Sequence, residues 1–305
     1  MPTTMSIKRL IVIVGPTGSG KTDLSIRVAQ HYHAPILSTD SRQVYRGMPI
    51  GTAQPTRDQL EAAEHHFIAS HDIKDYLSCG TYEEQALKCL EELFGKHDVV
   101  VAVGGSGLYV KALCEGMDDL PEVDPELRAS LNRRLSEEGL AVLADELREF
   151  DPTYYAQVDR SNPARVLRAL EVCLQTGQPY SSFRTGVSHK RDFKIIKIGV
   201  EMPRDVLYDR INRRVDMMIE EGLEEEARHL SPYRELNSLR TVGYREMFDY
   251  FDGRTTREEA IELIKRNSRR YAKRQMTWFK RDEEVHWFSP QDFDLMINYV
   301  DFCES

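Results

Sequence analysis

Eight consecutive residues, Gly15, Pro16, Thr17, Gly18, Ser19, Gly20, Lys21 and Thr22, have the types and spacing of a phosphate-binding loop. Glycines let the backbone curl so that several N–H groups converge on phosphate oxygens. Lys21 adds a point charge, and the Thr22 hydroxyl suits coordination of Mg²⁺. The flanks argue against a chance match, because an apolar β-branched run (10–14) precedes the loop and a helical pattern (23–32) follows it. Such a loop predicts a bound phosphate or diphosphate and leaves the reaction open. An ATPase or GTPase also needs an apolar strand ending in an acid that supports the metal. The run 98–103 has its acid, Asp98, at the wrong end and finishes in Gly104-Gly105, whereas the run 195–200 leads into Glu201. That machinery is incomplete, although a small-molecule kinase stays open.

Other residues fall where an open α/β sheet gathers its ligands, at the carboxyl ends of strands. Asp40 follows the short apolar run 35–38 and reads either as a general base beside the loop or as a solvated turn aspartate. Gly104-Gly105-Ser106-Gly107 follows the third run, where the backbone and the Ser106 hydroxyl could donate to a phosphate. A tight turn that needs glycine is the plainer alternative. Arg210 and Arg214 stand one helical turn apart and could share an anion, or could pair with nearby acids such as Asp216, Glu220 and Glu221. From Lys265 to Arg281 there are eight cations and no acid, with Tyr271, Trp278 and Phe279 interleaved. This is the footprint of a nucleic-acid face; the alternative is a helix bridged to the acidic run Glu224, Glu225 and Glu226.

These groups must be carried by a scaffold, and the periodicities describe one. Strand-like runs at 10–14, 35–38, 98–103 and 193–200 alternate with helical patterns at 23–32 and 82–94. The pattern predicts a parallel sheet covered on both faces. Helix follows helix from 124 to about 177. We read residues 118–190 as an all-helical insertion in an α/β core formed by 1–117 and 191–305. A long amphipathic helix follows at 204–221 with Val206, Ile211, Val215 and Met218 inward, and another spans about 256–281.

At 305 residues, 41% hydrophobic and 30% charged, the chain has the composition of an ordinary globular protein. A net charge of −9 does not decide against nucleic acid, since clustering and not the sum governs binding. Five scattered cysteines without a Cys-x-x-Cys pair disfavour a disulfide framework or structural zinc. No apolar stretch approaches the roughly 18 residues of a membrane span. A cytoplasmic protein without membrane contact is expected.

The combination resembles the tRNA dimethylallyltransferases of the IPP transferase family. The matching stretches are GPTGSGKT from Gly15, STDSRQVYRGMPIGTAQP from Ser38, VGGSGLYVKAL from Val103, NPARVLRALEV from Asn162, LRTVGYREM from Leu239 and RRYAKRQMTWFKR from Arg269. The resemblance implies a P-loop NTPase-like fold, dimethylallyl diphosphate as donor, and adenine 37 of tRNA as acceptor, with Mg²⁺ near Thr22. It implies Asp40, Ser106 and Arg214 as catalytic residues, the last with Lys21 and Thr22 on the diphosphate. It also implies tRNA contacts at Asp40, Ser41, Arg42, Gln43, Arg165, Arg168, Arg240, Gly243, Tyr244, Arg245, Lys273 and Arg274, in a monomeric enzyme. Two departures stand out: Ser106 replaces the family's usual Thr, and Ala164 a more usual polar residue. A kinase, a prenyltransferase acting on free adenylate, and a non-catalytic RNA-binding protein are the competing classes.

Overall fold

The computed structural model describes residues 7–122, 124–186 and 188–303. Six strands form one parallel sheet: β1 (Arg9–Val14), β2 (Ile36–Ser38), β3 (His65–His66), β4 (Val99–Gly104), β5 (Lys194–Val200) and β6 (His286–Phe288). Their order is β3-β2-β4-β1-β5-β6. β1 is central, with Ile11 opposite Val101 on one side and Ile196 on the other. A parallel central strand is buried on both faces, which is why Leu10 to Val14 is continuously apolar. Leu10, Val12 and Val14 join one core and Ile11 and Ile13 the other. Full burial of each such side chain contributes roughly 1.5–3 kcal/mol.

The helices that cover the sheet are α1 (Lys21–Tyr32), α2 (Arg57–Ala62), α3 (Cys79–Phe94) and α4 (Gly107–Glu115). Those of the middle segment are α5 (Pro125–Glu138), α6 (Leu140–Phe150), α7 (Pro152–Gln157), α8 (Pro163–Thr176) and α9 (Tyr180–Phe183). The chain then adds α10 (Arg204–Glu220), α11 (Leu223–Leu230), α12 (Tyr244–Phe251), α13 (Arg257–Phe279) and α14 (Phe293–Phe302). Leu24 and Val28 of α1 pack on one face with Met296 and Val300 of α14. Tyr82 and Leu90 of α3, Tyr109 of α4 and Ile264 of α13 pack on the other.

The chain divides into two compact units, one made of residues up to 115 with those from 190 onward, the other of 116–189. The second unit has its own core of Leu131, Leu143, Leu147, Val166 and Leu170. Three of its helices start alike: Asp124, Asp151 and Asn162 cap the backbone, and proline occupies the next position.

Several features depart from the sequence reading. Val206 is 45% exposed, and Leu207 takes its place inward with Ile211 and Val215. The edge strands β3 and β6 and helices α2, α11, α12 and α14 were not anticipated. The two strands are too short, at two and three residues, to show alternation.

Candidate active site

The parallel sheet brings three loops to one edge. β1 runs into the phosphate-binding loop, β2 into Asp40, and β4 into Gly104 to Ser106; Val14 is opposite Gly104, and Ser38 opposite Val103. Gly20 stands at φ 86° as the N-cap of α1, a conformation a side chain would strain. No side chain caps that helix. Its first-turn N–H groups and its dipole are therefore directed at whatever anion the loop holds. The Lys21 ammonium folds back to donate to Pro16 O at 2.7 Å. Burial first, and the neighbouring Arg214 charge second, bring its pKa down to about 7, while Asp40 opposes the shift.

Two arginines of α10 complete the cradle. Arg210 Nε donates to Gly18 O at 3.0 Å, and Arg214 reaches Thr17 Oγ1 and Ala53 O, both at 3.4 Å. The i, i+4 spacing aims both at the loop, while Arg213, between them, pairs with Asp209 at the surface. Burial lowers the pKa of Arg214 and the nearby Asp40 charge raises it. Ser19 Oγ in the loop and Thr39 Oγ1 beyond β2 are buried without a hydrogen-bond partner.

Asp40 is held by its own loop. Its Oδ1 accepts from the N–H of Arg42 at 2.8 Å and of Gln43 at 3.2 Å, an Asx turn. The Ser106 hydroxyl accepts from Ser41 N–H at 2.9 Å and lies 3.0 Å from Ser41 Oγ. It ties the Asp40 loop to the β4 loop. Arg42 donates to Asn237 O, and the Gln43 amide donates to Thr52 O and Ala53 O. Tyr82 OH donates to Ser38 O at 2.9 Å and stacks on Tyr109 at 4.0 Å, forming the floor under this strand end.

The expected RNA contacts divide by exposure. Arg165, Arg240, Arg245, Lys273 and Arg274 are exposed. Arg168 is not free: it donates to Glu171, itself fully buried, and to Pro121 O. Tyr244 is fully buried, donates to Glu226 at 2.7 Å, and lies against Gly51, where a Cβ would come within 2.5 Å of its ring. Gly243 is buried and gives its N–H to Glu246. Arg168 is thus half-buried and paired, whereas Gly243 and Tyr244 are buried. The acidic run 224–226 meets α13 at its first residue: Glu224 pairs with Arg257 and with Arg228 of α11, while Glu226 accepts from backbone N–H groups of residues 50 and 51. Lys265 pairs with Asp216 and Glu262, and Lys280 with Glu201, the acid at the end of β5. Lys273 borders a cleft of about 220 Å³ with Pro16, Leu207, Tyr208 and Met276, so the basic face reaches the loop.

The inner edge of α13 carries Tyr271, read in sequence as one of the aromatics of a nucleic-acid face, and Gln275, which the sequence reading passed over. Tyr271 hydrogen-bonds Ser106; burial and the Asp40 charge push its pKa up to about 12. Gln275, buried, bonds both the phosphate loop and the β4 loop. Only its regular spacing from Tyr271, one turn away, could have suggested that the two share a face.

A metal would find oxygen ligands only. Among the described residues no three His, Cys, Asp or Glu side chains cluster as a metal site, and no hydrogen bond engages the Thr22 hydroxyl. One hydroxyl completed by ligand phosphate and water oxygens suits a hard divalent cation.

The model of the IPP transferase family matches residues 43–282. A "tRNA dimethylallyltransferase" of Christiangramia forsetii is 53% identical over 297 residues, 97% of each chain. A crystal structure of a full-length tRNA isopentenylpyrophosphate transferase from Bacillus halodurans is 38% identical, with TM-score 0.72 and 97% of each chain covered. A structure of a eukaryotic dimethylallyltransferase acting on tRNA is 25% identical, with TM-score 0.79, covering 94% of this chain and 75% of the other. With a P-loop-bearing parallel sheet and relatives matched from end to end, this chain belongs to the IPP transferase family.

Proposed function

We propose that the protein transfers a dimethylallyl group from dimethylallyl diphosphate to the exocyclic amine of adenine 37 in tRNA and releases diphosphate. The observation that carries this is the juxtaposition of an anion cradle with Asp40. The charge of Asp40 acts on both Lys21 and Arg214, so one small site joins a leaving-group pocket to a base.

The adenine amine is a weak nucleophile because its lone pair is delocalised into the ring. It must leave the loop stack and be aligned with the first carbon of the prenyl chain. As the new N–C bond forms, the carbon–oxygen bond to diphosphate breaks and its electron pair leaves with the diphosphate. Asp40, fixed through Oδ1, accepts the amine proton on its other oxygen. Lys21, Arg214 and the N–H groups of the loop and α1 take up the charge on the departing oxygens. A divalent cation, Mg²⁺ in this reading, would be held by the Thr22 hydroxyl and supply further charge neutralisation there.

The exposed cations of α13, with Arg165, Arg240 and Arg245, are the surface for tRNA phosphates. Ser41, Arg42 and Gln43 lie beside the adenine, and the helical unit of 116–189 contacts tRNA as well. The protein works as a cytoplasmic monomer. A kinase or a free-adenylate prenyltransferase would leave the α13 cations without a use, and a mere RNA binder would not need the cradle.

Asp40→Ala tests the mechanism. Single-turnover prenylation falls on the order of a hundredfold or more, while tRNA affinity stays within about twofold. Near-normal single turnover by this variant removes Asp40 from the base role.

A further inference from the structure

One buried side chain joins the donor loop to the Asp40 side of the site. Gln275 is 6% exposed. Its Oε1 accepts from Thr17 N–H at 2.8 Å, and its Nε2 donates to Gly105 O at 2.9 Å. Thr17 also carries the hydroxyl that Arg214 reaches. Gly105 precedes Ser106, which holds Ser41 and with it the loop of Asp40. The fit around Gln275 is close: a Cβ on Gly105 would stand 2.2 Å from its Nε2 and otherwise no nearer than 3.6 Å to any backbone atom around it. Gly105 is thus a glycine because of Gln275, and not because of a left-handed backbone. Tyr271, Gln275 and Trp278 follow one another at i, i+4 and i+7 along the inner edge of α13. Tyr271 reaches Ser106, and the Trp278 indole covers Gly107.

We infer that Gln275 is a positioning residue for prenyl transfer. Its amide fixes the separation between the loop that holds the diphosphate and the loop that holds Asp40. It touches neither reacting atom. This rests on the reading of the site given above, in which the two loops hold the two reactants. An amide is suited to the task because it donates and accepts at once, so one side chain bridges an N–H on one loop and a C=O on the other. Reaction requires the attacking nitrogen and the prenyl carbon at near-contact distance, and a displacement of about 1 Å costs on the order of a hundredfold in rate. Losing this bridge therefore acts on alignment and donor binding, not on RNA affinity.

The test compares wild type, Gln275→Met, Gln275→Ala, Gly105→Ala and the Gly105→Ala/Gln275→Ala double variant. The readouts are kcat, KM for dimethylallyl diphosphate, calorimetric donor affinity, tRNA Kd and thermal unfolding. Gln275→Met keeps the volume and loses both bonds. It lowers kcat/KM for the donor on the order of tenfold to a hundredfold and weakens donor binding, with tRNA Kd within about twofold. Gly105→Ala gives a defect of the same kind because its Cβ displaces the amide. In the Gln275→Ala background the clashing atom is gone, so Gly105→Ala adds less than about twofold, a non-additivity that two independent structural lesions do not give. Wild-type donor kinetics for Gln275→Met overturns the inference. So do losses of donor affinity, tRNA affinity and melting temperature in parallel, or simple additivity in the double variant. If the wild-type protein itself transfers no prenyl group to tRNA, the reading of the site fails instead, while the calorimetric comparison still decides whether Gln275 shapes the donor loop.

Discussion

The two sides of the site are built on opposite principles. On the donor side the ligand groups are backbone N–H donors at the start of α1 together with Lys21 and Arg214, half-buried and fixed by neighbours such as Pro16 O and Thr17 Oγ1. On the RNA side, α13 exposes Arg266, Arg270, Lys273 and Arg274, and Arg281 is exposed just beyond it; among the described residues no carboxylate forms an ion pair with them. Charge in a dry, preorganised cradle acts strongly on the one bond being broken. Exposed charge is screened by salt and serves affinity for a polyanion spread over many contacts. The contrast explains how a chain of net charge −9 can bind RNA: eight cations lie between Lys265 and Arg281 with no acid among them, and several of them are exposed.

Lys21→Met is expected to separate the sides most sharply. It removes on the order of a hundredfold to a thousandfold from kcat/KM for the donor and leaves tRNA Kd within about twofold; equal effects on both substrates would erase the distinction. The paired change Lys273→Ala/Arg274→Ala does the reverse. Filter-binding titrations at several salt concentrations should show affinity for tRNA weakened about tenfold and the salt slope reduced by roughly one to two. Donor KM should be unchanged.

A pH experiment sharpens the donor side further. Without a bound anion Lys21 has its pKa lowered to about 7, mainly by burial. Above that pH it is largely neutral, and an arriving diphosphate restores its proton, so donor binding takes up protons at pH 8. Below pH 7 the lysine is already charged and this uptake disappears. Calorimetry in buffers of different ionisation enthalpy reads the effect, and Lys21→Met should abolish it. The smallest effect distinguishes two arginines of α8. Arg165→Ala weakens tRNA binding about threefold with no change in melting, as loss of one exposed cation should. Arg168→Ala instead lowers the melting temperature, because the buried Glu171 loses one of the two arginines, Arg128 and Arg168, that pair with it.

What could be read from the sequence was local. The loop of residues 15–22, the strand before it, Asp40 and the glycine turn after β4 are each specified by consecutive residues, and a parallel sheet brings its strand ends to one edge. Arg210 and Arg214 were legible because a helical turn is a fixed distance. What could not be read depends on which side of a helix meets the core. Leu207 and not Val206 turned inward, and Tyr244 and Arg168 fit the motif of an RNA surface yet are held by Glu226 and Glu171. Gln275 looked like one more polar residue on a basic helix. Its role appears only once α13 is laid across two loops that each lie more than a hundred residues before it in sequence. Ser106 likewise reads as a phosphate donor in sequence, whereas its lone pair and proton are directed to Ser41.

The most direct test of the account is nucleoside mass analysis after incubation with unmodified tRNA and dimethylallyl diphosphate, with AMP and ATP offered in parallel. The account predicts one dimethylallyl group on the adenosine of position 37, stoichiometric diphosphate, and no modified AMP or consumed ATP. Unmodified tRNA beside prenylated AMP or hydrolysed ATP would contradict it.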